Sequence, residues 1–421
     1  MEDRLLEGKR VLLGVTGGIA AYKSCELARQ LIRLGAAVQV VMTEAAVRFV
    51  APLTFEALTH RPVVTDLFQG ERPGGATVHV ELARWPHLVV VAPATYDFLG
   101  KLASGLANDA LSALVAATRS PVILCPAMNH EMYAKPALSQ NLERLRSWGY
   151  RVVGPEHGEL AEGEVGWGRL AALEVILDAI KYELLRHDAL KGCRVLVTAG
   201  PTQEAVDPVR FITNHSSGKM GYALAEASLW AGAEVALVSG PTGLRVPEGV
   251  RCTRVRTASE MAEAVAEEWP RTDILFMAAA VSDYRPTQLS PHKIKKGEGP
   301  YLQLTLEKTP DILAWAGQNK GSRFLVGFAV ETENELAYAM EKLRKKNLDL
   351  IVVNNPLEPG AGFGTDTNRV TLLDAQGHLE AWPLASKLDV ARRLVFRVGQ
   401  LWRARANQAA EIHTPQAGEA K

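Results

Sequence analysis

The chain has 421 residues, 47 Lys+Arg against 47 Asp+Glu, and 47% hydrophobic residues. The balanced charge gives no overall field for nucleic acid or an anionic membrane, and every apolar run is too short to cross a bilayer. MEDRLLEGKR carries no signal-peptide core, and Cys25, Cys125, Cys193 and Cys252 form no CxxC pair, so a disulfide framework or a zinc site is disfavoured and a reducing cytoplasm is expected.

The length suggests two or three domains. Arg10 to Val15 reads as a buried strand, Thr16-Gly17-Gly18 as a turn, and Ile19 to Leu34 as a helix with Gly35 at its C′ position. Backbone N–H groups at such a helix start can hold a phosphate. The glycines do not spell GxGxxG and no acidic residue is clearly placed for a ribose, so a mononucleotide suits the loop better than a dinucleotide; a tight turn without ligand is the plain alternative. Ala37 to Met42 is a second strand, followed by Thr43. Phe49 to Thr59 is helical after Pro52, and Gly70 to Ala76 is a loop. Leu88 to Ala92 is a buried strand ending in Pro93-Ala94-Thr95. Two helical stretches follow, parted by Gly105 to Asp109, and Pro121 to Cys125 is a strand running into Pro126-Ala127-Met128-Asn129. Loops at the carboxyl ends of parallel strands bind ligands in open α/β sheets, and Thr95, Asn108 and Asn129 are polar groups on three such loops. Singly, each residue has a plainer reading: His79 structural, Asn108 a helix N-cap, Met128 and Met132 core.

Taken in order, these segments resemble the flavin-dependent cysteine decarboxylases: GGIAAYKS (17–24), MTEAA (42–46), His79 with Leu82 and Trp85, APATYDF (92–98), GLANDALS (105–112) and PAMNHEMY (126–133). The resemblance implies FMN at the strand ends, with Gly17, Gly18, Ile19, Ala20, Thr43, Thr95 and Ser104 around it. It implies that His79 assists oxidation of the substrate thiol and that Asn108 and Asn129 hold the substrate's carboxylate and amide, with Met128 and Met132 beside it. One departure stands out. The family's mobile flap carries a cysteine that protonates the enethiol intermediate, and that position in GELAEGEVGWGRL (158–170) holds Glu162. Three readings stay open: Glu162 replaces the cysteine once burial raises its pKa, Cys125 does so, or the final reduction is impaired and this half is an FMN-binding module.

Leu170 to Arg186 reads as a helix, and residues 187–191 as a linker without a long Pro/Ser-rich tether. At Cys193 the chain restarts: a strand ends at Thr198-Ala199-Gly200-Pro201, a polar loop 214–219 precedes a helix from Met220 to Ala231, and Val235 to Val238 is the next strand. Ile274 to Val281 is a buried strand leading to Asp283, and His292 to Gly297 is a cationic loop suited to a triphosphate. Tyr301 to Glu307 alternates as a strand with one wet face. Thr309-Pro310-Asp311 reads as an N-cap with Pro at N1. Phe324 to Val330, Glu333 to Lys346 and Leu348 to Val353 read as strand, helix and strand. Val370 to Trp382 is a hairpin turning at Gln376-Gly377, Ser386 to Arg403 is the last helix, and residues 406–421 are a disordered tail.

This half resembles phosphopantothenate–cysteine ligase, through AGPTQEAVDPVRFITNHSSGKMG (199–221), AAAVSDYRP (278–286), KIKK (293–296), KTPDIL (308–313), VGFAVET (326–332) and KLRKKNLDLIVVN (342–354). From about residue 8 to about residue 403 the chain is similar to the bacterial bifunctional family of coenzyme A biosynthesis. The resemblance implies two α/β domains, each a mostly parallel Rossmann-like sheet with flanking helices. The first (1–186) is a flavodoxin-like, FMN-dependent phosphopantothenoylcysteine decarboxylase. The second (192–405) is a ligase using 4′-phosphopantothenate, cysteine and CTP with Mg²⁺. It implies a role for Asn214 in forming an acyl-cytidylate, Arg210 in the same substrate loop, and Lys293 in transfer to cysteine. Nucleotide contacts fall on Met277, Ala278, Ala279, Asp283, Lys293, Thr309, Pro310, Asp311, Ile312, Phe328, Lys342 and Lys346. It also implies a homo-oligomer, because the family's FMN sites form between subunits. No residue is assigned to a metal, and CTP against ATP is left open. A dehydrogenase with two NAD domains is the rival reading; the missing GxGxxG counts against it.

Overall fold

The computed structural model describes residues 4–66, 78–296, 301–330, 335–362 and 364–412. The chain divides into two compact units, Met1–Leu185 and Arg186–Lys421. The expected loop Gly70 to Ala76 lies outside the described residues.

The first unit is built on strands β1 (Arg10–Val15), β2 (Ala37–Met42), β3 (Leu88–Ala94), β4 (Val122–Pro126) and β5 (Arg151–Val152), in parallel order β2-β1-β3-β4-β5. β3 is buried along its whole length, as a strand covered on both faces must be. The helix Lys23–Arg33 turns Ser24, Leu27, Ala28 and Leu31 inward, one stripe at helical spacing. A 3₁₀ turn, Ile19–Tyr22, precedes it, so the expected single helix begins as two pieces. An antiparallel hairpin, β6 (Glu156–Glu159) and β7 (Val165–Arg169), and the helix Leu173–Leu185 complete the unit.

The second unit contains β8 (Arg194–Ala199), β9 (Gln203–Ala205), β10 (Phe211–Thr213), β11 (Glu234–Ser239), β12 (Arg251–Arg254), β13 (Ile274–Met277), β14 (Tyr284–Pro286), β15 (Leu306–Lys308), β16 (Phe324–Val330), β17 (Leu350–Asn354), β18 (Thr367–Asn368), β19 (Thr371–Asp374) and β20 (Leu379–Ala381). Its main sheet runs β12-β11-β8-β13-β16-β17-β19-β20, parallel as far as β17 and closed by the expected terminal hairpin. Apolar clusters lie on both faces, one around Val197, Leu224, Phe276 and Leu394, the other around Leu196, Leu275, Leu325 and Ile351.

Four expectations need correction. Residues 187–191, expected as a linker between the units, are part of the second: His187 N–H donates to Trp230 O at 2.7 Å, Leu190 N–H to Ala231 O at 2.8 Å, and Leu190 is fully buried. The carbonyls at the end of the helix Lys219–Trp230 need donors, and this segment supplies them. The last helix runs Lys387–Ile412, past Arg403 into the stretch expected to be disordered. The residues 404–412, ARANQAAEI, are mostly good helix formers that continue an anchored helix. From Tyr301 to Glu307 only Leu306 and Glu307 join a strand, and all seven residues are exposed, so their alternation marks no buried face within the unit. The helix Ile312–Gln318 is capped by Asp311, whose side chain accepts from Ala314 N–H, and not by Thr309, whose hydroxyl donates to Ser282 O at 2.6 Å.

Candidate functional site

In the first unit the register sets Val15 beside Met42, Gly14 beside Val91 and Ala94 beside Pro126, so four strand ends form one row. The strand order reverses between β1 and β3, where ligands of such sheets bind. Thr16 spans this point: its hydroxyl donates to Pro93 O at 2.7 Å and accepts from Thr95 N–H at 3.0 Å. Ser24 Oγ donates to Ala92 O. A Cβ on Gly17 would stand 2.4 Å from Ala45 Cβ, so only glycine lets this loop meet the turn capped by Thr43. Gly17, Gly18, Ile19, Ala20, Thr43 and Thr95 therefore gather at one crevice, with a helix start to hold an anion. Ser104 ends the helix Tyr96–Ala103, about 13.5 Å of helical rise from Thr95.

Asn129 caps the short helix His130–Tyr133, its Oδ1 accepting from Glu131 N–H at 2.8 Å, which leaves its amide NH₂ available. The β6–β7 hairpin, the expected flap, is bonded to this loop: Met128 N–H donates to Gly168 O at 2.9 Å. Gly168 has φ +143° and a Cβ there would stand 2.1 Å from Met128 O. Across the same join His130 Nδ1 lies 3.1 Å from Glu164 Oε2, within ion-pair reach but without hydrogen-bond alignment. Glu162 is exposed near the hairpin's turn, so its own unit does not cover it. Cys125 lies inside β4, fully buried, and burial pushes its thiol far up; it does not reach the strand-end crevice as a donor. Asn108 is exposed and is not the cap of its helix, because Asp109 forms a capping box with Ser112. Met128 packs against the core, whereas Met132 is 41% exposed, against the plain core reading. His79 falls in the helix Val78–Arg84, and its side chain lies outside the described residues.

The second unit has its own switch point, between β8 and β13. The loops leaving these strands are zipped together: Ala280 N–H donates to Gly200 O at 2.9 Å, Thr202 N–H to Ala280 O at 3.3 Å, and Ser282 N–H to Thr202 Oγ1 at 2.9 Å. Asn214 joins them, its Nδ2 donating to Val281 O at 2.9 Å. Thr309 N–H donates to Asp283 O at 3.0 Å, next to the Thr309–Ser282 bond. Lys346 Nζ reaches Asp311 at 3.0 Å, and Lys342 Nζ donates to Phe328 O at 2.8 Å. Burial opposes charge on Asp311, but the Ala314 N–H and the Lys346 ammonium outweigh it and hold the carboxyl below the usual range. Met277 ends β13 at this crevice, Ala278 and Ala279 follow it, and Pro310 and Ile312 flank Asp311. Arg210 and Lys293 are exposed; Arg210 Nη2 donates to Ile294 O at 3.2 Å, which brings the cationic loop to the substrate loop. Among the described residues, no group of three or more His, Cys, Asp or Glu side chains is placed to hold a metal ion.

Lys219 and Lys387 carry no sequence signal for a shared task. Lys219 bonds Gly364 O and Asp366, while Lys387 donates to Thr365 O, so two lysines hold one short loop beside the start of the helix Lys219–Trp230. Helical periodicity marks neither residue, since their partners are distant in sequence.

Residues 1–185 match the Flavoprotein family, and residues 190–401 match the family described as DNA/pantothenate metabolism flavoprotein C-terminal domain. The chain is 46% identical over 400 residues to the coenzyme A biosynthesis bifunctional protein CoaBC of Bacillus subtilis, covering 94% of this chain and 98% of that one. It is 44% identical over 375 residues to the CoaBC protein of Escherichia coli K12, covering 88% and 92%. It is also similar to a crystal structure of the C-terminal domain of a CoaBC protein, 42% identical, with TM-score 0.45, covering 52% of this chain and 100% of that one. With two matched halves and this identity along nearly its whole length, the chain belongs to the family of bifunctional coenzyme A biosynthesis proteins.

Proposed function

We propose that the second unit joins cysteine to 4′-phosphopantothenate and that the first decarboxylates the product to 4′-phosphopantetheine. The observation that carries the ligase reading is the set of contacts around the β8–β13 crevice, which gathers Asn214, Asp283, Thr309, Asp311, Phe328, Lys342 and Lys346 at one switch point. The substrate carboxylate attacks the α-phosphorus of CTP and pyrophosphate leaves. Cysteine's amine then attacks the acyl carbon, loses a proton, and CMP leaves. Asn214 and Arg210 hold the acyl substrate, Lys342 and Lys346 offset charge growing at phosphorus, and Lys293 serves the transfer to cysteine. Mg²⁺ enters with the nucleotide's phosphates, in keeping with its habit of binding through few protein ligands.

In the first unit Gly17 to Ala20, Thr43 and Thr95 fit FMN, with its phosphate at the helix start, and Ser104 belongs to the same site. Held there, FMN would supply reversible hydride acceptance for the carbon beside the thiol. Asn129 presents amide donors to the substrate, Asn108 holds its carboxylate, Met128 and Met132 line its path, and His79 assists thiol oxidation. Glu162, on the flap that lies on the Met128–Asn129 loop, gives the last proton. Four free cysteines suit a cytoplasmic protein, and a homo-oligomer would supply the cover that Glu162 lacks in its own unit.

The test is a visible spectrum of the purified protein, then addition of phosphopantothenate, CTP, Mg²⁺ and cysteine with products read by mass. A flavin spectrum with 4′-phosphopantetheine formed supports both halves. Product stalled at phosphopantothenoylcysteine or the unreduced enethiol removes Glu162 as the replacement donor.

A further inference from the structure

Asp207 closes the turn of the β9–β10 hairpin, and its side chain is fully buried although the residues after it are exposed. Each oxygen has its own task. Oδ1 accepts from Val209 N–H and Arg210 N–H, both at 2.8 Å, which shapes the turn. Oδ2 accepts from Ile294 N–H at 3.1 Å and lies 3.4 Å from Arg210 Nη1. Arg210 Nη2 in turn donates to Ile294 O, and Ser290 N–H donates to Val206 O at 3.2 Å. The hairpin that leads into Asn214 is thereby joined to the loop that carries Lys293. That loop, HKIKK, is a run of like charges whose repulsion favours splaying. Among the described residues, Ile294 is held through its N–H on Asp207 and its carbonyl on Arg210.

We propose that Asp207 is a positioning residue of the ligase, setting Lys293 against Arg210 and Asn214 through the bond from Ile294 N–H to Oδ2. This rests on the ligase reading above, in which Lys293 serves the transfer to cysteine. An asparagine at 207 fits the same space, but either orientation of its amide puts NH₂ against a backbone donor. With the oxygen kept on Val209 and Arg210, the turn survives and only the link to the cationic loop is lost.

The experiment uses the full chain, with pyrophosphate release measured without cysteine and CMP release measured across a cysteine titration. Asp207→Asn is expected to release pyrophosphate within about threefold of wild type while cysteine-dependent CMP release slows about a hundredfold, the scale of a misplacement near 1 Å. The acyl-cytidylate then accumulates and is seen by mass, and amide hydrogen exchange at Ile294 speeds up while Tm falls by only a few degrees, roughly the cost of one buried unpaired donor. Equal slowing of both steps, or no slowing of either, overturns the proposal. Lys293→Gln runs beside it. If that variant slows cysteine transfer and Asp207→Asn does not, the fault lies with Asp207; if Lys293→Gln leaves the transfer intact, the role of Lys293 is wrong and the inference falls with it. Should Asp207→Asn fail to fold, Ile294→Pro removes the same bond from the other loop and must give the same split between the two steps.

Discussion

In the proposed decarboxylase site Asn129 would divide its amide between structure and chemistry. The oxygen caps the helix His130–Tyr133, and the proposal gives the NH₂ to the substrate. Asn129→Asp keeps the cap and replaces the donor with a negative oxygen, which repels a substrate carrying carboxylate and phosphate. Decarboxylation is expected to fall at least about a hundredfold while Tm holds; carbon dioxide release near the wild-type rate would take Asn129 out of the site. At neighbouring positions the fold chose caps that spacing alone could not rank. Asp109 takes the cap that Asn108 was equally able to fill, and Asp311 takes the one expected of Thr309. Cap preference is local and nearly equal among these residues, whereas the choice here was made by distant partners, Ser282 O for Thr309 and Lys346 for Asp311. Asp207 was illegible for the same reason, since Ile294 lies far along the chain.

Strands and helices were easier to read than the pieces that join them. β1, β3 and β8 are continuous apolar runs with a glycine or proline at the end, and such runs name themselves. The flap is different, because its fit depends on backbone touching backbone. Gly168→Ala would drive a methyl group into Met128 O, lifting β7 from the loop. The ligase step should be unchanged and decarboxylation lost; full decarboxylation would show that the flap closes some other way. At the amino ends of β8 and β13, Asp273 accepts from the Arg194 backbone at 2.9 Å and from its guanidinium at 2.8 and 3.0 Å. The Arg194 bonds, first the side-chain one, hold the Asp273 carboxyl below the usual range. A depressed folded pKa means stability fully present above the unfolded value, about 3.9, and lost progressively as the pH falls from there through the lower folded value. Asp273→Asn should therefore melt about 2 °C lower at pH 7, the scale of a partly exposed pair, and the gap should close as the pH drops below about 4. A gap independent of pH would mean the carboxylate charge is not what joins these strands.

Two cores and two switch points in one chain explain why the restart at Cys193 was visible without a structure, since each unit repeats strand, tight loop and helix. The boundary was less visible, because a short polar stretch reads as a linker whether or not it is packed. Residues 187–191 belong to the second unit: Leu190 fills its core, His187 and Leu190 cap the helix Lys219–Trp230, and Arg403 donates to Asp188 O at 2.6 Å. Cutting the chain between Leu185 and Arg186 should thus give two fragments that each fold, the first binding flavin and the second making phosphopantothenoylcysteine. Cutting after Lys191 removes a fully buried leucine, worth about 2 kcal/mol, and the fragment from Gly192 should melt about 4–8 °C below the one from Arg186. Equal melting temperatures would restore the stretch to a linker, and loss of ligase activity in the longer fragment would mean that this unit's site needs the flavoprotein half.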